Sequence, residues 1–462
     1  MDTTVPHEAT PTAAGCVTLA VIGAGNRGAD VYARYALDHP SEARVVAVAD
    51  PDPVRREKLA RDHGIPAGNV FASWEELFSR TRLADGVIIA TPDRMHVEPA
   101  LRALDLGYDI LLEKPIAPTR AETLLLSEAA ARRGGHITVA HVLRYSPFFA
   151  TLKRLVDEGR IGRLMTIDHI ENIGYWHFAH SYVRGNWRRA DESSPMILAK
   201  ACHDMDILRW LAGAPCLRVA SFGRLSHFRA ENRPPGAPDR CTDGCPVEAT
   251  CPFNAVAFYV DGLAEHTGWP VSVITPDPSR EGRLAALRTG PYGRCVYACD
   301  NDVADHQVAV LEFANGVTAT LTVTAFSEEN TRTLKLMGTR GEIVARMETG
   351  EIEVQPFARP GVVTKSEGRT GVIGSRVPRE TIKVATGGRH AGGDEGLMRA
   401  FIDYVRRRKA GEQPEAMLTA LAESVESHLM AFAAEEARTR GTVVDVAGQA
   451  AAPRLAAGSE LG

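Results

Sequence analysis

No stretch of this sequence stays apolar for long. Its longest apolar runs are about six residues, far short of the roughly 20 needed to span a bilayer, so a membrane span is not expected. A basic surplus is also missing. Lys and Arg number 53 against 58 Asp and Glu, a formal charge of −5, which offers no attraction to nucleic acid or an anionic membrane surface. Met1 to Gly15 carries neither a basic segment nor an apolar core; it reads as a disordered tail rather than a signal peptide, and a cytoplasmic location is expected. Eight cysteines in 462 residues are too sparse for a disulfide scaffold, and no internal repeat is visible. What remains is ordinary soluble composition, 44% hydrophobic and 24% charged, over a length that suggests two to three domains.

The first dense signal is at the start. Val17 to Ile22 is a β-branched-rich apolar run that leads into Gly23-Ala24-Gly25-Asn26-Arg27-Gly28. A helical pattern follows through Tyr35 and Leu37, then a second apolar run, Arg44 to Ala49, closed by Asp50. Strand, G-x-G-x-x-G, helix, strand and acid is the context a dinucleotide fingerprint requires. Gly23 permits the tight turn, Gly25 lets the backbone approach a pyrophosphate, and Gly28 lets helix and strand pack closely. The helix N-terminus adds free N–H groups and partial positive charge. Asp50 would accept from the adenosine ribose hydroxyls and repel a 2′-phosphate. NAD is therefore expected over NADP, although Arg55 and Arg56 stand nearby.

Alternation continues with helices at Pro53–His63, His96–Leu106 and Thr119–Arg133 between strands at Ala84–Ala90, Tyr108–Leu112 and His136–Ala140. Strands separated by such helices form right-handed crossovers and a parallel sheet. Residues 16–141 thus read as a doubly wound dinucleotide-binding domain. Lys114 follows the fourth recognisable strand, in Glu113-Lys114-Pro115, on the edge where open α/β sheets bind ligands. Alone, it would more commonly be a surface lysine; its position singles it out for chemistry.

After His141 the pattern changes to α+β. A helix at Phe148–Asp157 precedes an alternating strand at Leu164–Ile173, and Pro195–Leu211 reads as one helix. Later strands at Cys216–Phe222, His306–Phe313, Val317–Ala325, Thr333–Met337, Glu342–Arg346 and Glu351–Val354, with a turn at Asn315-Gly316, predict an open, largely antiparallel sheet. This second domain spans 142–395, with helices over 396–445 packing on it and a tail over 446–462.

Residues 229–300 interrupt it as an insertion. Cys241, Cys245 and Cys251 recur at short spacing, and Cys295 and Cys299 follow later. Thiolates this dense suggest a structural four-cysteine zinc site, with an iron–sulfur cluster as second choice; reduced thiols or a disulfide between the groups are the alternatives. Such a site would brace a loop lacking its own core.

Several motifs in order resemble the glucose–fructose oxidoreductase / inositol dehydrogenase (Gfo/Idh/MocA) family. They are Gly23–Gly28, Thr91-Pro92 followed by His96, Glu113-Lys114-Pro115, Arg144-Tyr145, and His203-Asp204-Met205-Asp206 opening into Leu208–Leu211. The resemblance implies a Rossmann domain, a second domain with an open sheet, and hydride transfer between a sugar, sugar acid or cyclitol carbon and a nicotinamide cofactor. It implies that Lys114 is the base, that Pro115 is a cis proline, and that Asn26, Arg27, Thr91, Pro92, His96 and Glu113 lie by the cofactor. It further implies that His203 is a substrate ligand or proton shuttle, that Arg144 lies by the substrate, and that protomers pair as a dimer or tetramer.

Two features qualify it. The family commonly carries an acid four residues before this histidine, where this chain has Ala199; Lys200 is the candidate polar replacement. His203 also falls at i with Ile207 and Trp210 at i+4 and i+7, the spacing of a core face. The segment Glu171–Trp187 is rich in His and aromatics, which suits sugar recognition; Tyr175, His177, His180, Arg184 and Trp187 are the candidate pocket residues. His177 and His180 could also chelate a metal, but no third ligand is evident. Two other readings stand beside hydride transfer: glycoside cleavage with a recycled NAD, and a non-catalytic NAD-linked sensor or partner protein.

Overall fold

The computed structural model describes residues 15–357 and 378–446. The expected tails fall outside these, apart from Gly15 and Val446. The chain divides into two compact units. The first contains the described residues up to 113 together with Leu126–Ala140 and Asp394–Glu423. The second contains Lys114–Leu125, the described part of 141–393, and the chain from Ser424 onward.

Six parallel strands build the first unit: β1 (Val17–Ile22), β2 (Ala43–Ala49), β3 (Val70–Phe71), β4 (Gly86–Ile89), β5 (Asp109–Leu112) and β6 (Ile137–Val139). Their order, β3-β2-β1-β4-β5-β6, is that of a Rossmann sheet. The central strands are buried on both faces, which is why they read as near-continuous apolar runs. β3 was not expected, because two residues carry no periodicity; Lys114 therefore follows the fifth strand, not the fourth. The helix Pro53–His63 begins at Asp52, whose carboxylate accepts the Val54 and Arg55 N–H groups, and ends at Gly64 in the left-handed conformation.

One expectation is corrected here. The helix Gly393–Lys409, assigned by sequence to the second domain, belongs from Asp394 onward to the first. Tyr404 bonds His136 and Arg408 pairs with Asp109 at 2.9 Å. An amphipathic helix carries a buried stripe but no address, so periodicity could not have named its partner.

Among the described residues, nine strands form the second unit's sheet: β7 (Leu164–Gly174), β8 (Cys216–Arg224), β9 (His306–Phe313), β10 (Thr318–Ser327), β11 (Thr331–Gly338), β12 (Gly341–Arg346), β13 (Glu351–Pro356), β14 (Glu380–Lys383) and β15 (Val444–Asp445). β7 runs parallel to β10 and every other pairing is antiparallel. The Asn315-Gly316 turn joins β9 to β10, with Gly316 at φ +82°. One face of β7 buries His169 and Glu171, while the other exposes Ile170 in register with Thr322, Val308 and Phe222.

Pro195–Leu211 is not one helix. It breaks into Met196–Ala199 and Cys202–Ala212, with Ala201 outside helical geometry at φ −96°, ψ 10°. The insertion lies between β8 and β9 and, contrary to expectation, has its own core of Ala255, Tyr259, Val260, Leu287 and Tyr292. Arg283, 1% exposed, clamps it by donating to the carbonyls of Pro278, Tyr259, Leu263, Ala264 and His266.

Candidate active site

The glycine loop caps β1. Gly23 has φ +91°, and a Cβ there would meet the Ala90 carbonyl oxygen at 2.5 Å. At Gly28 a Cβ would sit 1.9 Å from the Gly23 carbonyl oxygen. Both are therefore obligate glycines. Gly25 differs: a Cβ there would meet nothing within 4 Å. That open space over bare backbone is what the approach of a pyrophosphate requires. Asp50, 5% exposed, accepts the Ala24 N–H at 2.7 Å and the Asp52 N–H at 2.8 Å. It braces the loop as well as standing at the end of β2, where a ribose would lie. Asn26 bonds the exposed Asp30.

Thr91 and Pro92 follow β4, across the switch point from the loop. His96 is fully buried rather than exposed at the loop, with Nε2 2.9 Å from the Thr91 carbonyl. Arg27 and Glu113, both expected beside the cofactor, are engaged with each other at 2.6 Å. Arg27 also reaches Asp394 at 2.7 Å, and the Tyr32 hydroxyl donates to Glu113. The Arg27 charge is thus balanced by two carboxylates, and its link to Asp394 could not be read locally.

In the second unit, Lys114 precedes Pro115 through a cis peptide bond. Its Nζ donates to the Ala199 carbonyl at 2.8 Å. Position 199, which lacks the acid, thus presents a main-chain oxygen to the lysine. Around this pair gather three histidines besides His203. The rings of His141 and His203 are 5.6 Å apart, those of His141 and His428 5.3 Å, and those of His203 and His390 5.9 Å. Burial, reinforced by the charge of Lys114, holds His203 well below its usual pKa, so it is a neutral imidazole. Its Nδ1 is buried and meets no hydrogen-bond partner among the described residues. His428, pushed down to about 3 by burial, accepts the Ile116 N–H at 2.9 Å through Nε2, which leaves Nδ1 to donate to the Ser424 carbonyl. It pins the segment that carries Lys114. His390 and Ala391 hold φ of 49° and 53°, a left-handed pair costly for residues other than glycine. His141, His390 and His428 escaped sequence reasoning because each stands alone in its own stretch of chain.

Lys200 does not face His203 along a helix; the break turns it to Glu171 at 3.0 Å. Glu171 also pairs with Arg332 at 2.8 Å, and Arg332 reaches Asp204 at 2.8 Å. Asp204 accepts from His169 at 2.7 Å, and it is held below the usual carboxylate range by Arg332 and His169 against its burial. This buried set underlies the Ala199–Asp204 segment. Polar residues at the inward phase of β7 were its only trace in the sequence.

The remaining candidates separate. Arg144, 5% exposed, forks onto Asp206 with both contacts at 2.7 Å. Arg184 is buried and bonded to the carbonyls of Arg294 and Phe253 in the insertion. His180 bonds the Tyr259 hydroxyl at 2.7 Å, stacks on Tyr292, and is pushed down to about 3 by burial. His177 bonds Asn330 at 2.7 Å and is lowered by burial and Lys200. It stacks on Trp176 and meets Trp269 edge-on, so His177, Trp176 and the inserted Trp269 form one partly exposed aromatic wall. Tyr175 lies 6.1 Å from Phe253, and Trp187 lies 6.2 Å from Tyr182. The cysteines are all free thiols. The single-zinc arrangement expected from them is not formed: among the described residues no group of three or more His, Cys, Asp or Glu is placed to hold one metal ion. No described helix is long and apolar enough to cross a membrane.

A Rossmann sheet with an obligate glycine loop, followed by a mixed-sheet unit that holds a lysine–histidine constellation, defines a two-unit protein of the dinucleotide-binding class. Residues 17–141 match the NAD-binding Rossmann-fold model of the Gfo/Idh/MocA oxidoreductase family, and residues 153–445 match its C-terminal alpha/beta domain. The chain belongs to that family. It is 33% identical over 205 residues to inositol 2-dehydrogenase 2 of Saccharopolyspora erythraea, covering 43% of this chain and 54% of that one. It is 27% identical over 265 residues to a 1-carboxy-3-chloro-3,4-dihydroxycyclohexa-1,5-diene dehydrogenase of Comamonas testosteroni, covering 57% and 63%. These alignments span between about half and two thirds of the curated relatives' lengths. A levoglucosan dehydrogenase solved with NADH and L-sorbose shares the fold at TM-score 0.63 and 20% identity, over 93% of this chain and 99% of that one.

Proposed function

We propose that this protein is an NAD(H)-dependent dehydrogenase acting on a hydroxyl-bearing carbon of a sugar, sugar acid or cyclitol. The observation that carries the reading is the pairing of Lys114, tied to the Ala199 carbonyl, with a neutral His203 whose Nδ1 is buried without a partner among the described residues. An unsatisfied buried nitrogen costs free energy that a substrate hydroxyl would recover. NAD, when bound, supplies the hydride acceptor. Lys114 takes the hydroxyl proton as hydride departs, since a carbon cannot lose hydride from an intact alcohol without generating a costly cation. The Ala199 carbonyl takes one Nζ hydrogen and aims the lone pair or remaining protons elsewhere. His203 holds the substrate hydroxyl and can pass on its proton. The wall of Trp176, His177 and Trp269 offers ring faces to C–H patches and a polar edge to hydroxyls. The names of the inositol dehydrogenase relatives support a cyclitol as one arm of the substrate class.

The exposed sheet face bearing Phe222, Val308 and Ile170 supports a homo-oligomer. The test of the function is NADH formation from NAD across a panel of sugars, sugar acids and inositols. A substrate is expected to give stoichiometric NADH. Product formed without net NADH would favour glycoside cleavage instead, and NAD binding without turnover of any panel member would favour the sensor.

A further inference from the structure

The insertion's cysteines are drawn together by backbone pairing, not by a disulfide. Arg240 and Arg294 form an isolated antiparallel bridge. On either side of it the Cys241 N–H donates to the Gly293 carbonyl at 2.9 Å and the Cys295 N–H to the Asp239 carbonyl at 2.8 Å. Two cysteine groups far apart in sequence thereby become neighbours. Cys241, Cys245, Cys251 and Cys295 all line one partly open pocket, with Arg184 in its wall. Cys299 is excluded from that lining; its thiol donates to the Cys295 carbonyl at 3.3 Å. Cys16, Cys202 and Cys216 lie elsewhere in the chain.

We propose that Cys241, Cys245, Cys251 and Cys295 ligate an iron–sulfur cluster of the [4Fe–4S] class. The four thiols line one pocket, yet among the described residues no group of three or more His, Cys, Asp or Glu is placed to hold a single metal ion. A four-iron core takes one thiolate at each iron and so accepts sulfurs spread around a pocket; a tetrahedral zinc needs the sulfurs gathered about a single centre. The surroundings also provide what a thiolate-bound cluster draws on. The Arg184 guanidinium reaches the Cys241 sulfur at 3.7 Å. Hydrogen bonds to the sulfurs and nearby positive charge stabilise the cluster's net negative charge and set its potential. Cys245 and Cys251 are each followed by proline, a pairing also found in the ferredoxin cysteine run. Because the insertion has its own apolar core, the cluster joins the 239–253 and 293–297 segments to each other and is not the sole support of the loop.

The full-length protein, purified without oxygen, should contain about four iron and four acid-labile sulfide per chain, show a broad brown visible absorption, and give an EPR signal on reduction with dithionite. Cys251→Ser and Cys295→Ser should each lose most of the iron, while Cys299→Ser should keep it. In case the ligand variants fail to fold, aerobically purified wild-type protein is incubated with ferrous iron, sulfide and a thiol reductant and read by the same absorption. Wild-type protein that takes up no iron and sulfide would overturn the proposal. So would zinc at one per chain without sulfide, or a Cys299→Ser variant as depleted as Cys251→Ser.

Discussion

Replacing Asp204 by Asn should be the most damaging single change to the second unit that leaves side-chain volume nearly unaltered. Asp204 is fully buried. Its carboxylate serves Arg332 at 2.8 Å and His169 at 2.7 Å. Glu171 pairs with both Lys200 and Arg332, Asp204 with Arg332, and the Glu348 carboxylate accepts the Arg332 main-chain N–H. The Asn variant removes the carboxylate that faces the buried Arg332 guanidinium and His169. Breaking a buried pair in this way costs about 3–5 kcal/mol, roughly 10²–10⁴-fold in the folding equilibrium. Four of the five tryptophans, Trp176, Trp187, Trp210 and Trp269, lie in the second unit, so urea unfolding followed by tryptophan fluorescence reads that unit. The double variant Asp204→Leu/Arg332→Met, which removes both charges, should recover much of the loss, because a buried pair exchanged for packed apolar groups is often near neutral. The sign with pH follows from the direction of the shift. Asp204 is depressed in the folded state, so its contribution is complete above the unfolded value, about pH 4, and drains as pH falls below it. The wild type should lose stability between about pH 4 and 2 more steeply than Asp204→Asn. A loss below about 1 kcal/mol, the value of a surface pair, or identical acid limbs in the two proteins, would refute the assignment of a tightly balanced buried network.

Further outcomes follow from other sites. Lys114→Met should lower kcat by about 10²–10⁴-fold, the worth of a positioned general base, while NADH binding by fluorescence titration stays unchanged; turnover within a few-fold of wild type would remove the lysine from the chemistry. His428→Leu deprives the Ile116 N–H of its acceptor and should cost about 1–3 kcal/mol of stability, with His428→Gln, which can still accept, recovering part of it. Asp50→Asn keeps an oxygen for the Ala24 N–H but removes the charge, so the ratio of NADPH to NADH affinity should rise by about tenfold, 1.4 kcal/mol. NADPH binding more tightly than NADH to the unaltered protein would contradict the Asp50 reading. Phe222→Glu, at a site 75% exposed, should shift an oligomer toward monomer in light scattering without lowering the melting temperature.

Much of the first unit was legible because its information is local. Gly23 and Gly28 are glycines for steric reasons that act within a few residues and one neighbouring strand. The fully buried strands announce themselves as apolar runs. Less was legible where a residue's contacts depend on distant chain. Arg27 and Glu113, expected beside the cofactor, pair with each other, and Arg27 also meets Asp394, a carboxylate from far along the sequence. Arg184 and His180, in the segment expected to line a substrate pocket, bond to the insertion, far along the chain. The helix break at Lys200–Ala201 was invisible because helical periodicity runs straight through it.

The sequence by itself determined the parallel sheet, the nucleotide loop, the strand-end lysine and the family. Each rests on short-range sterics or on motifs that recur in order. Only the tertiary structure decided how the lysine is supported. Its partner is a main-chain carbonyl where a side-chain acid was expected. The histidines about it come from four separate stretches of chain. A carbonyl has no letter in a sequence, and side chains that meet only through folding carry no shared spacing.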